Sequence, residues 1–244
     1  TKKILITKFV IIKKILPKTF IFFLSKIKNF LKKKLSYLKI YKHPIHPISD
    51  YFGFDRGLPI DRYYINKFIN INKKHIRGNV LEIGDDRYSK KFKCDSTIYG
   101  IIKNEKVEIL NLEEKLPNKI KKFDCIICTQ VINYTYKKEK FISNLYKLLK
   151  KNGILLLTCS SITRISNYDY NRYGDYWRFT DMSLRKLLSS VFNKKSIRIK
   201  THGNISVSTK FLYGLSADEV SYDDLNFNDK NFSLLISCRA KKWI

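Results

Sequence analysis

Two stretches, FDCIICT at 123–129 and GILLLTC at 153–159, are apolar at nearly every position rather than at alternate ones. A strand of that kind has to be covered on both faces, which places it inside a sheet flanked by helices. The sequence around them supplies the cover. DRYYINKFININ (61–72) has helical spacing at Tyr64, Ile65, Phe68 and Ile69. KEKFISNLYKLLKKNG (138–153) turns Phe141, Ile142, Leu145, Leu148 and Leu149 to one side and should stop at Asn152-Gly153. SLRKLLSSVF (183–192) predicts a third helix. Shorter apolar runs at NVLEIG (79–84), STIYGII (96–102), VEILNL (107–112), SIRIKT (196–201) and FSLLISCRA (232–240) predict the remaining strands. The alternation predicts an α/β chain with a doubly wound, mostly parallel sheet and a ligand site at the strand carboxyl ends.

The charge is unevenly placed. Net charge is +28, yet 39 of the 49 basic residues are Lys in a chain rich in Ile and Asn, a mix that matches an AT-rich coding bias. Residues 1–49 contain 13 Lys and no acid, while the remainder has 36 basic and 21 acidic residues. In this leader, apolar residues recur at Leu5, Phe9, Ile12, Leu16, Phe20, Leu24, Ile27, Leu31, Leu35 and Leu38, with Lys between them. Steps of three and four predict a basic amphipathic helix, kinked or divided at Pro17. Its longest apolar run, FIFFL at 20–24, is far below the roughly 20 residues of a bilayer span. Lys8 and the absence of a small-residue cleavage site argue against a secretory signal. The helix can lie on an anionic membrane surface, dock a partner, or pack on its own domain. YKHPIHPIS (41–49) reads as an extended linker, its His43 and His46 being ordinary linker residues. The expected division is therefore a leader and linker over 1–48 and one domain over 49–244.

Five cysteines without framework spacing point to free thiols and a reducing compartment. Cys125 and Cys128 are three apart in a predicted strand, so they face opposite sides and cannot share a metal. No metal site is expected.

VLEIG (80–84), FDCIICTQVINY (123–134) and LLKKNGILLLT (148–158) follow one another with the order and spacing of a known family. They resemble class I S-adenosylmethionine-dependent methyltransferases, in particular the broad type 11 group. FGFDRGLPIDRYYINKF (52–68), EIGDDRYSKKF (82–92) and YDYNRYGDYWRFTDMSL (168–184) narrow the likeness. Together they look like a bacterial subgroup associated with glycosyltransferases and surface-polysaccharide genes. The resemblance covers about residues 50–240 and leaves the leader out. It implies a Rossmann-like methyltransferase sheet with an antiparallel last strand, and S-adenosylmethionine as cofactor.

In such a turn Gly84 allows the cofactor's close approach, although Asp85, Asp86, Arg87 and Tyr88 stand where further glycines are usual. The subgroup pattern G-D-x-x-Y accounts for that. The resemblance implies that Glu82 orients the loop through backbone amides and that Asp85 or Asp86 receives the cofactor ammonium. These acids can equally cap the next helix. After the second strand the sequence is GIIKNE (100–105): Lys103 cannot accept from ribose hydroxyls, which leaves Glu105 as the candidate. Asn111 stands where the adenine edge is read. Thr129 and Gln130 should line the cofactor or acceptor pocket.

NYDYNRYGDYWRFT (167–180) follows the fifth strand and can fold over the strand ends. The aromatic faces of Tyr173, Tyr176 and Trp177 suit a sulfonium or a sugar ring, and Arg178 is a further candidate contact to the substrate. Asp169, Asp175 and, third, His202 are the candidate bases for a hydroxyl acceptor. The competing reading is structural, with Arg178 paired to Asp175 and Trp177 in the core. Arg56 and Arg62 are candidate grips for a phosphate or uronate, or members of a flap held by Asp–Arg pairs. The function expected is O-methylation of a saccharide or glycolipid-linked acceptor at the cytoplasmic membrane face, with a glycosyltransferase as partner. A non-catalytic module of the same fold, acting by membrane or glycosyltransferase binding, is the alternative that the glycine-poor turn and GIIKNE favour. An RNA methyltransferase is favoured only by charge, and nucleic acid is not expected as a partner.

Overall fold

The computed structural model describes residues 18–41, 45–94, 96–100 and 107–243. Helices are α1 (Lys18–Tyr41), α2 (Ile60–Ile71), α3 (Arg87–Lys91), α4 (Lys138–Leu148), α5 (Asn167–Tyr173), α6 (Asp181–Leu188), α7 (Ile205–Leu212) and α8 (Tyr222–Asn226). Strands are β1 (Val80–Ile83), β2 (Ser96–Gly100), β3 (Glu108–Ile109), β4 (Phe123–Thr129), β5 (Leu149–Ser160), β6 (Ile197–His202) and β7 (Leu235–Lys241). The sheet order is β3-β2-β1-β4-β5-β7-β6, parallel from β3 to β5, with β7 antiparallel to both β5 and β6. The chain winds outward from β1 to β3, then returns to place β4 on the other side of β1. That reversal opens a crevice beyond the carboxyl ends of β1 and β4.

The central strands are apolar throughout because each face meets a different core. Along β4, Ile126 and Cys128 enter one core with Phe141, Ile142, Leu145 and Leu148 of α4 and Leu184 of α6. Cys125 and Ile127 enter the other, with Tyr64, Ile65 and Phe68 of α2 and Val207 and Phe211 of α7. Leu155 and Leu157 of β5 join the first core, Ile154 and Leu156 the second. Cys125 and Cys128 are thus separated by the sheet itself.

Several element boundaries differ from expectation: α6 ends at Leu188 rather than 192 and β7 begins at Leu235 rather than 232, and three further differences have a readable cause. Helix α4 ends at Leu148, because Leu149 pairs with Phe123 and is buried in the sheet. Residues 150–153 form an irregularity before Cys125 pairs with Ile154, with Asn152 at φ 63° and its N–H on Lys242 O at 3.0 Å. The strand expected over 107–112 contracts to Glu108–Ile109, both exposed at the sheet edge. Asn111 then turns the chain, its Oδ1 accepting from Glu113 N at 2.9 Å. Residues 167–173, expected only as an aromatic cover, form α5, started by Ser166 Oγ accepting from Asp169 N. Leader residues 1–17 with Pro17, linker residues 42–44 with His43, and Lys103 and Glu105 lie outside the described residues. No helix among the described residues is long and apolar enough to cross a membrane.

Candidate functional site

Strand β1 delivers the chain to Gly84 at φ 96°, a conformation that favours glycine. Its N–H is held by Tyr99 O at 2.9 Å, and a Cβ added there would meet nothing within 4 Å. The turn therefore faces open space. Glu82 is buried, and its two carboxylate oxygens accept Tyr88 N at 3.1 Å and Ser89 N at 2.8 Å. Burial raises its pKa, with the amides of Ser89 and Tyr88 opposing. Glu82 thereby anchors the start of α3, while Asp86, in the capping position, makes no side-chain cap bond. Asp85 accepts from Arg87 N at 3.1 Å and pairs with the Arg87 guanidinium at 3.4 Å.

Two cavities open over the strand ends. The first, about 450 Å³, is lined by Gly84, Asp85, Tyr99, Gly100, Asn111, Thr129, Gln130, Tyr173 and their neighbours. The second, about 510 Å³, lies between the 50–62 flap, Ser160 at the end of β5, and residues 163–169. Arg62, Gln130, Tyr134, Tyr168 and Asp169 line both. The two cavities therefore adjoin, with these five residues between them as a shared wall.

That wall is held by hydrogen bonds from two strand ends. Gln130, at φ 59°, gives its N–H to Thr158 O at 3.0 Å. Its Oε1 accepts from Asn133 Nδ2 at 2.9 Å and Ser160 Oγ at 3.0 Å, and Asn133 Oδ1 accepts from Ser160 N at 3.1 Å. Tyr134 donates its hydroxyl to Asp169 Oδ2 at 3.1 Å. Burial pushes the Tyr134 phenol up, and the adjacent Asp169 charge pushes the same way, so Tyr134 stays a donor. Arg62 completes the wall, and Asp61 beside it lines the second cavity. Arg62 Nε lies 3.8 Å from Asp61 Oδ2 without a hydrogen bond, and buried Asp61 Oδ1 has no partner either. Burial raises the Asp61 pKa against the pull of Arg62.

The structure moves several expected residues out of the site. His202 lines neither cavity: it is buried, with Nε2 2.7 Å from Ser237 Oγ and its ring 5.4 Å from that of Tyr64. Asp175 is bound by Arg178, Nη2 to Oδ2 at 2.8 Å, with its carboxylate side chain only 1% exposed. Trp177 gives its Nε1–H to Thr135 O at 2.9 Å and packs against the core, and Tyr176 sits edge-on to Tyr136 at 5.3 Å. The reason is local: Tyr176 N and Trp177 N bond to Asn133 O and Phe179 N to Ser160 O, which ties residues 176–179 down as structure. Arg56 pairs with Glu219 rather than with a cavity. Asp86 lines neither cavity, whereas Arg178 lines the second while holding Asp175. Tyr134, Asn133, Ser160, Asp61 and Arg164 were not singled out from sequence. Tyr134 and Ser160 each follow a readable strand end, which was the available signal; Asp61 and Arg164 depend on how distant segments fold over the sheet.

Residues 99–195 match a family model described as a methyltransferase domain. No curated protein matches the chain. The N-methyltransferase NodS from Bradyrhizobium japonicum WM9, solved in complex with S-adenosyl-L-homocysteine, superposes with a TM-score of 0.50 at 12% identity, covering 77% of this chain and 89% of that one. A SAM-dependent methyltransferase from Archaeoglobus fulgidus gives 0.48 at 14% identity, covering 75% and 94%. The chain thus has the Rossmann-like methyltransferase fold and, over residues 99–195, matches the methyltransferase domain family in sequence.

Proposed function

We propose that the chain is an S-adenosylmethionine-dependent methyltransferase that methylates a hydroxyl of a saccharide or glycolipid-linked acceptor. The observation that carries the reading is the pair of cavities meeting at Arg62, Gln130, Tyr134, Tyr168 and Asp169. The first cavity fits the cofactor: Gly84 leaves room for close approach, Asp85 offers a carboxylate, and Asn111 and Thr129 offer polar edges. S-adenosylmethionine supplies a methyl group on a sulfonium, whose positive charge suits the Tyr134, Tyr168 and Tyr173 rings. The second cavity takes the acceptor, with Tyr51, Phe52 and Phe54 as apolar faces for a sugar ring. Asp169, at the meeting point, takes the proton from the acceptor hydroxyl. Positioning across the shared wall supplies much of the rate. A glycosyltransferase partner and a cytoplasmic, membrane-peripheral location accompany this reading.

Calorimetric titration with S-adenosylhomocysteine tests it. Binding is expected, and Gly84→Val should abolish it without unfolding, since an added Cβ meets no neighbour within 4 Å, the side chain blocks the cofactor's approach, and the positive φ adds strain of about 1–3 kcal/mol. The competing non-catalytic reading draws on Lys103 in GIIKNE. Absence of heat at protein concentrations well above micromolar would make it the better one.

A further inference from the structure

Helix α1 meets the domain with its polar side. Buried Ser36 places Oγ 2.9 Å from both Lys32 O and Glu219 Oε1, and accepts from Arg56 Nη2 at 2.8 Å. Arg56 Nε donates to Glu219 Oε2 at 2.8 Å, and Lys32 Nζ donates to Arg56 O at 3.0 Å. The apolar residues face the other way. Phe23, Leu24, Ile27, Phe30, Leu31, Leu35 and Leu38 are 40–65% exposed and fall in an arc of roughly 140°, centred opposite Ser36 at 100° per residue. A helix packed on its own domain would show the reverse arrangement.

Charge identifies what covers the stripe. Lys26 and Lys28 flank it, Lys34 lies within it where its stem can run along the apolar surface, and residues 1–49 carry no acid. A nucleic acid or an acidic protein surface would match the lysines but not Phe23, Phe30 and Leu31. An anionic bilayer matches both, with rings and aliphatic chains below the headgroups and ammonium groups among them. We infer that the apolar stripe of α1 is a docking surface for an anionic lipid bilayer, and that the Ser36–Glu219–Arg56 cluster is the latch holding the domain to it. Arg56 belongs to the same flap as Tyr51, Phe52 and Phe54, which wall the second cavity. The latch therefore ties the acceptor cavity to the membrane-facing helix; this last step rests on the glycolipid-linked acceptor proposed above, whereas bilayer docking does not.

The test is co-sedimentation of the full chain with phosphatidylglycerol–phosphatidylcholine vesicles and with phosphatidylcholine alone. Sedimentation is expected with the anionic vesicles only, weakening with salt, and falling about tenfold or more in Phe30→Glu/Leu31→Glu. These side chains are exposed, so the double variant should still fold, and its S-adenosylhomocysteine titration should match that of the parent. No sedimentation with anionic vesicles, or equal sedimentation of the variant, overturns the inference. So does a parent dimer that the substitutions convert to monomer, which would give the stripe to a second copy. Loss of vesicle binding with normal cofactor titration, or the converse, separates failure of this inference from failure of the methyltransferase reading.

Discussion

Asp169 sits on the first turn of α5, its Oδ2 accepting the Tyr134 hydroxyl where the two cavities meet. An amide of the same shape can keep that hydrogen bond but cannot take a proton. Asp169→Asn is therefore expected to lower single-turnover rate by about 10²–10⁴-fold with S-adenosylhomocysteine affinity nearly unchanged. Wild-type turnover would leave Asp169 an ordinary carboxylate of the first turn of α5. Trp177 belongs to a different class of residue despite its place in the same aromatic segment. With its indole on Thr135 O and Lys138 Nζ 3.7 Å above the ring, Trp177→Ala should lose about 2 kcal/mol of stability, less than a fully buried ring would. Aromatic spacing alone could not separate the two, because both lie in one exposed-looking run; the backbone bonds to Asn133 and Ser160 did.

At the scale of elements, the 50–62 flap is held by two long-range ion pairs, Arg56–Glu219 across 163 residues of sequence and the longer Asp50–Arg164 contact at 3.7 Å. Glu219 is 3% exposed and Arg56 15%. Burial pushes the Glu219 carboxyl up, but the hydrogen bond from Arg56, the Ser216 amide, the Ser36 hydroxyl and the Arg56 charge outweigh it, leaving the pKa lowered. Such a group stabilises the fold above its ordinary range and loses that contribution as pH falls through the lowered value. Glu219→Ala strands a half-buried guanidinium and should cost about 3 kcal/mol, or roughly 6–12 °C in melting temperature. A melting temperature within a degree of the parent would remove the latch from the account of the flap. The elements themselves were largely readable. Strand β4 and the apolar face of α2 appear where their patterns put them, because burial on two faces or one leaves a periodic imprint. Strand β3 and the end of α4 were not, because edge position and cross-strand pairing set them.

For the molecule as a whole, acid sensitivity reports the buried polar groups. His202 is enclosed between α2 and β7, and burial, then the charges of Lys200 and Lys67, bring it from 6.5 down to about 4. Between those values the unfolded chain binds a proton that the folded one does not. Stability therefore rises with pH across that window and is complete above it, a contribution of up to about 3 kcal/mol. Urea unfolding of the parent and of His202→Gln at several pH values between 4 and 7 should show the steeper slope in the parent. Equal slopes would mean that His202 does not carry this term.

By itself the sequence determined the layered α/β architecture, since uninterrupted apolar runs of seven residues next to turn signals read as central strands and periodic helices must cover them. It also determined the Gly84 turn, a local matter of one residue following one strand. Tertiary structure alone decided which charged and aromatic residues reach the cavities. Arg56 and Arg62 are six residues apart, yet Arg56 turns to Glu219 while Arg62 enters the shared wall. Asp169 and Asp175 are equally close, yet one lines both cavities and the other is consumed by Arg178. Local pattern records burial and propensity, and it offered the Asp175–Arg178 pair as one of two readings, whereas the partners of Arg56 and Asp169 come from segments 163 and 35 residues away, contacts that leave no periodic trace in either segment.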